Sequence, residues 1–204
     1  MATEPKKVGA PEEDPVAEPE KAVPPPATRP TDYFKVADVV LRVLVFSSAL
    51  VSVVVMSTSK QTEMVPIPVP PYQALRPAKF NHSPALIYFV AALSVAGFFS
   101  IITTLGSLYS LTKPAGCSAK IISHFIVIDV LLLGIVASAT GAAASVAYIG
   151  LKGNTHVRWG KVCSMYGKFC RYLGASIGVS LFASVMLVLL VLLSVYSLSK
   201  KIPK

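Results

Sequence analysis

The sequence predicts an all-α membrane protein, a bundle of four transmembrane helices behind a disordered N-terminal tail. Three observations carry that expectation. The 204-residue chain is 53% hydrophobic and only 14% charged, with a mean hydropathy of +0.64, which fits a membrane protein and not a soluble domain. Four separate apolar segments each reach the roughly 20 residues a helix needs to cross about 30 Å of hydrocarbon. The first 32 residues hold eight of the sixteen prolines and seven acidic residues. Such a segment buries too little apolar surface to offset its ordering entropy.

In chain order, residues 1–32 are expected to form the Pro-rich acidic tail, and with no apolar core in them no signal peptide is expected. Spans are expected over about 36–57, 84–111, 121–149 and 173–199 of a transmembrane domain at 33–199, followed by a short basic tail at 200–204. The last three spans are long enough to tilt or project beyond the bilayer. Between spans one and two, the run KQTEMVPIPVPPYQALRPAKFNHSPA is proline-rich, which predicts an extended, ordered loop. Asn81-His82-Ser83 matches a glycosylation acceptor, but Pro84 and the start of span two follow at once, so Asn81 is expected to stay unmodified.

Four spans leave both termini on one side, and basic residues near the span ends divide eight to eight between the two sides, so the positive-inside rule gives no orientation. Cysteine placement gives one. Cys163 and Cys170 flank six residues in the loop before span four, where a disulfide would persist only on an oxidising face; two free thiols are the alternative. Cys117 stands alone in the other short loop, suited to a reducing side. Both termini are therefore expected in the cytoplasm. Trp159, Tyr166, Phe169 and Tyr172 cluster at the mouth of span four as expected interfacial anchors.

Two charges lie inside the spans. Arg42 is about six residues into span one and Asp129 about eight into span three, and these spans cross in the same direction. At 1.5 Å per residue both sit roughly 9 to 12 Å below the same surface. An intramembrane charge usually faces the bundle and finds a partner, so an Arg42–Asp129 structural ion pair is expected. The alternatives are Arg42 snorkelling or pairing with Asp38 one turn earlier, and Asp129 protonated or lining a wet path.

At 100° per residue, Gly134, Ser138, Gly141 and Ser145 fall on the side of span three opposite Asp129, while Leu133, Val136, Thr140 and Ala147 share its side. Span four carries Gly174 and Gly178, a G-x-x-x-G, together with Ser176, Ser180 and Ser184. Small residues let helix backbones approach closely in lipid. These faces are expected to pack helices, either within one bundle or between subunits.

No catalytic set is visible: there is no P-loop, no G-x-S-x-G and no paired carboxylates. His82, His124 and His156 are scattered and make no metal ligand set. The +9 net charge is dispersed, with no basic face interleaved with aromatics, which argues against nucleic acid. Neither catalysis nor a cofactor is expected.

The span-one exit VVVMSTSKQT, Arg42 in span one, Asp129 in span three and WGKVCSMYGKFC before span four together resemble the Casparian strip membrane domain protein-like (CASP-like) family of land plants, distantly related to the MARVEL four-span proteins. MSTSKQT and the W-x3-C-x6-C loop are similar to its subfamily 1. The resemblance covers about residues 33–200. It implies a plasma-membrane location, cytoplasmic termini, and homo- or hetero-oligomers with family members. Some relatives form immobile membrane platforms that recruit cell-wall-modifying enzymes. The first outer loop here, VPIPVPPYQALRPAKF, does not show the signature of the members that build the Casparian strip. The expected function is a non-enzymatic, self-associating membrane-domain scaffold; the alternative is a small oligomeric channel or transporter using Arg42 and Asp129.

Overall fold

A computed structural model describes residues 30–68, 70, 72–112 and 119–201. The acidic tail up to residue 29, Cys117 and the last three residues lie outside the described residues. Four helices form the body: α1 (Pro30–Thr58), α2 (Pro84–Thr112), α3 (Ala119–Lys152) and α4 (Gly167–Lys201). Within them Tyr33–Thr58, Pro84–Tyr109, Ser123–Lys152 and Gly167–Lys200 are long and apolar enough to cross a membrane.

Local chemistry accounts for the helix boundaries. Pro30 and Pro84 occupy first helical positions, where a fixed φ is favourable and the missing N–H costs nothing. Ser83 stands at the N-cap of α2 and accepts from the N–H groups of Leu86 and Ile87 through its carbonyl. Gly153 ends α3 with φ +69°, its N–H donating to the Ile149 carbonyl at 2.8 Å. A Cβ there would meet the Trp159 carbonyl at 2.8 Å, so glycine is required by conformation and by space. Helix α4 starts at Gly167, ahead of the apolar run at 173, and so carries Cys170 within its first turns.

The helices run up and down in cyclic order. Helix α1 packs on α2 and α4, and α3 packs on α2 and α4, leaving α1 and α3 across the diagonal. Val45, Ala49, Phe89, Leu93, Leu132, Val136, Ile177 and Leu187 fill the centre. The outside carries exposed large apolar side chains such as Leu50, Phe98, Leu131, Leu181 and Leu192. Several hydroxyls, in contrast, are buried between the helices, among them Ser52, Ser100, Thr140, Ser176 and Ser180. Ser52 and Ser176 exchange bonds between α1 and α4, each hydroxyl donating to the other's carbonyl at 2.9 and 2.8 Å. The hydroxyls of Thr140 (α3) and Ser180 (α4) lie 2.5 Å apart. Among the described residues, every buried side-chain nitrogen and oxygen has a partner, as an environment without water demands.

The proline-rich loop is a paired hairpin: β1 (Lys60–Pro66) runs antiparallel to β2 (Gln73–Lys79), with Glu63 opposite Arg76. Pro66 and Pro77 are tolerated because each strand of a two-stranded ribbon is an edge. Alternate residues Gln61, Glu63 and Val65 turn toward the bundle, and two bonds tie the hairpin to the start of α4. The Phe169 N–H, which has no partner within its own helix so near the N-terminus, donates to Gln61 Oε1 at 2.8 Å. The Tyr166 hydroxyl donates to the Arg76 carbonyl at 2.9 Å. Tyr166 and Phe169 are thus buried at 7% and 8% exposure. They pack the loop platform instead of anchoring in headgroups, because the hairpin covers them; Trp159 and Tyr172 remain exposed.

Each tie contributes about 1 kcal/mol. Gln61→Ala and Tyr166→Phe are each expected to speed amide exchange of the hairpin about fivefold, measured by mass spectrometry in detergent, with exchange in the helix cores unchanged.

Candidate functional site

The structure brings Arg42 and Asp129 together across the bundle diagonal. Arg42 is 3% exposed and Asp129 is 1% exposed. Their contact is a two-pronged fork: Nη1 donates to Oδ1 at 3.2 Å and Nη2 to Oδ2 at 3.0 Å, the geometry in which a planar guanidinium meets a carboxylate best. The third nitrogen, Nε, donates to Asp38 Oδ2 at 3.1 Å. The interhelical pair and the one-turn pair are therefore present together, since the three guanidinium nitrogens point to two different acceptors.

Further residues build the site from helices α2 and α3. The Ser107 hydroxyl donates to the same Asp38 oxygen at 2.6 Å, and the Ser100 hydroxyl donates to the Arg42 main-chain carbonyl at 3.0 Å. The Phe125 ring lies 5.6 Å from the guanidinium carbon, within cation–π range. Gly106 makes room for that ring, since a Cβ there would meet Phe125 at 2.6 Å. Asp38 is legible from its i, i+4 spacing. Ser107, Phe125 and Gly106 lie at the matching depth of neighbouring spans, a weak signal without the helix order.

The surroundings are tightly packed. The gap beside the pair, lined by Val45, Thr103, Leu132, Leu187 and Leu190 among others, has no room for a water molecule. The polar residues that could line a path are turned back onto main-chain carbonyls: Ser94 to Val90, Thr103 to Phe99, Thr104 to Ser100, Ser138 to Ile135 and Thr140 to Val136.

The small faces divide. Gly134, Ser138, Gly141 and Ser145 lie on the exposed side of α3, and Gly174 and Gly178 on the exposed side of α4. A Cβ built on any of these four glycines has nothing within 4 Å. Ser176 and Ser180 are fully buried, because residues two apart differ by about 200° around a helix. Close packing inside the bundle is made by those serines with Ala49, Ala96, Ala139 and Ala143, so the glycine faces look outward.

At the loop end, Cys163 and Cys170 are joined by a disulfide, with Cα atoms 5.7 Å apart. It ties the 3-10 turn Val162–Ser164 to the first turns of α4. Asn154 and Trp159 exchange main-chain bonds at 3.0 and 2.9 Å across the same loop. Of the histidines, His82 and His156 lie at this end and His124 near the start of α3. Asn81 is exposed on the turn Phe80–His82.

Removing one member of the charge cluster leaves an uncompensated charge. Asp129→Ala is expected to destabilise the protein by about 3 kcal/mol, read as thermal unfolding in detergent. The double variant Arg42→Met/Asp129→Leu is expected to recover most of that loss. A single variant as stable as the parent would refute a structural role.

The profile of the Casparian strip membrane protein domain matches residues 31–186. The chain is 57% identical over 183 residues to CASP-like protein IN26 of Ipomoea nil, covering 88% of this chain and 93% of that protein. It is 57% identical over 166 residues to CASP-like protein 1D1 of Populus trichocarpa, covering 81% and 84%. With CASP-like protein 1 of Panax ginseng it shares 60% identity over 149 residues, 73% of this chain and the whole of that protein. No solved structure matches. A domain match across most of the chain, and relatives of this similarity aligned over 73% to 88% of it, place this four-span membrane protein in the CASP-like family.

Proposed function

We propose that the protein is a non-enzymatic scaffold of the plasma membrane, self-associating through helix faces and presenting two outer loops to partners. The observation that carries this reading is the outward direction of the small-residue faces of α3 and α4. In lipid no hydrophobic effect draws helices together, so smooth faces that allow close backbone approach favour association. Arg42 and Asp129 then serve register, holding each protomer rigid enough to present those faces. Both termini lie in the cytoplasm, and the disulfide-bearing loop and the hairpin lie outside, where a cystine persists. Partners are further family members and cell-wall-modifying enzymes. The rival reading, an ion or proton path through Arg42 and Asp129, is weaker: the gap beside them takes no water, and the serines and threonines are engaged with carbonyls.

Subunit counting by single-molecule photobleaching in nanodiscs is expected to give oligomers, and Gly141→Leu/Gly178→Leu to shift them toward monomers by at least about tenfold in dissociation constant. A monomer in the parent protein would sink the scaffold reading; proton flux abolished by Asp129→Asn would favour the rival. On intact cells, impermeant maleimide is expected to label Cys163 and Cys170 only after reduction. Labelling without reductant would oppose both the bridge and its outer placement.

A further inference from the structure

A second feature lies at the loop end, apart from the charge cluster and from the glycine faces. A cavity of about 550 Å³ opens where the helices give way to the loops, a size typical of sites that hold small organic ligands. Its floor is apolar, made by Leu86 of α2, Ala147 of α3, and Phe169 and Leu173 of α4, with the Cys163–Cys170 cystine on one wall. Its rim is cationic, with Lys79 from the end of β2 and Arg158 from the second loop, and Trp159 stands beside them. No carboxylate lines it. Among the described residues, neither the Lys79 side chain nor the Arg158 side chain has an ion-pair or hydrogen-bond partner.

Those features specify a ligand class. An apolar floor at the level of the helix ends takes a hydrocarbon body. Two unpaired cations above it favour an anionic head, and the indole beside them suits the boundary between the wet and dry parts of such a molecule. Arg158 is held at φ +56°, in the left-handed region that non-glycine residues seldom adopt, within a loop closed by the Asn154–Trp159 bonds and the cystine. The rim is therefore fixed by cross-links on both sides. We propose that this cavity binds an amphipathic anion, a carboxylate or phosphate carried on a single apolar chain or of comparable bulk, with the head on Lys79 and Arg158 and the body on the floor.

The chain has a single tryptophan, so its fluorescence reports this cavity and no other. Full-length protein in phosphatidylcholine nanodiscs is titrated with oleate, and in parallel with oleyl alcohol, which has the same hydrocarbon and no charge. Saturable change in Trp159 emission is expected for oleate at a concentration at least about tenfold lower than for the alcohol. Lys79→Gln/Arg158→Gln is expected to weaken oleate about tenfold, the scale of two partly exposed ion pairs lost, while leaving the alcohol unchanged. Both substitutions are on exposed side chains, so folding is not at issue. Ala147→Phe, which fills the floor, is expected to weaken both ligands. Nanodiscs containing lysophosphatidate, a phosphate on one chain, separate the two sources of the anion: displacement of oleate indicates a bilayer lipid phosphate as the resident, and retention a free single-chain acid. Equal affinity for oleate and oleyl alcohol, or a double variant that binds oleate like the parent, overturns the assignment. A signal that rises linearly without saturation reports partition into the bilayer and overturns the site itself.

Discussion

A guanidinium placed in hydrocarbon must find an acceptor for each of its nitrogens, and the arrangement of the helices follows from how Arg42 does so. Two nitrogens reach across the bundle diagonal to Asp129, and the third reaches one turn back to Asp38. Asp38 is held in turn by Ser107, and the Arg42 carbonyl by Ser100, both on α2. One side chain on α1 therefore fixes α3 by direct contact and α2 through its neighbours. A slide of α1 by one residue would displace the fork and leave a buried charge without a partner, at a cost far larger than the small differences in van der Waals packing between registers.

Helix α4 is set by a different means. It meets α1 through the reciprocal Ser52–Ser176 bonds and α3 through Thr140–Ser180. The molecule has in effect a charged layer toward the termini and neutral hydroxyl layers toward the loops. Each hydroxyl bond in a membrane is modest, averaging about 0.6 kcal/mol in measured cases, so α4 is secured by several of them and by the disulfide at its start.

How much of this was legible varies with the length scale of the signal. Four spans follow from hydropathy alone, because only helices satisfy their own backbone in lipid. The meeting of Arg42 with Asp129 was readable because spans one and three run the same way, which makes depth a coordinate shared by distant residues. Orientation around a helix was harder. Gly174, Ser176, Gly178 and Ser180 interleave on α4, and grouping them as one small-residue device hides that serines and glycines face opposite ways. The hairpin was legible as extended chain but not as a pair. Its six-residue connection carries no Asn-Gly or Asp-Gly signal, and Pro66 and Pro77 obscure the alternation of a strand. Tyr166 and Phe169 have the composition of an interfacial belt, and only the hairpin lying over them makes them core.

The attachment of that hairpin separates what holds the loop from what the loop displays. Its anchors are the amide of Gln61, pointing inward, and the main-chain carbonyl of residue 76, which any residue supplies. The outward positions, among them Met64, Tyr72, Leu75 and the Arg76 side chain, take no part in the attachment. Their chemistry can change completely without loosening the mount. One bundle could thus carry many different recognition surfaces on an unaltered frame.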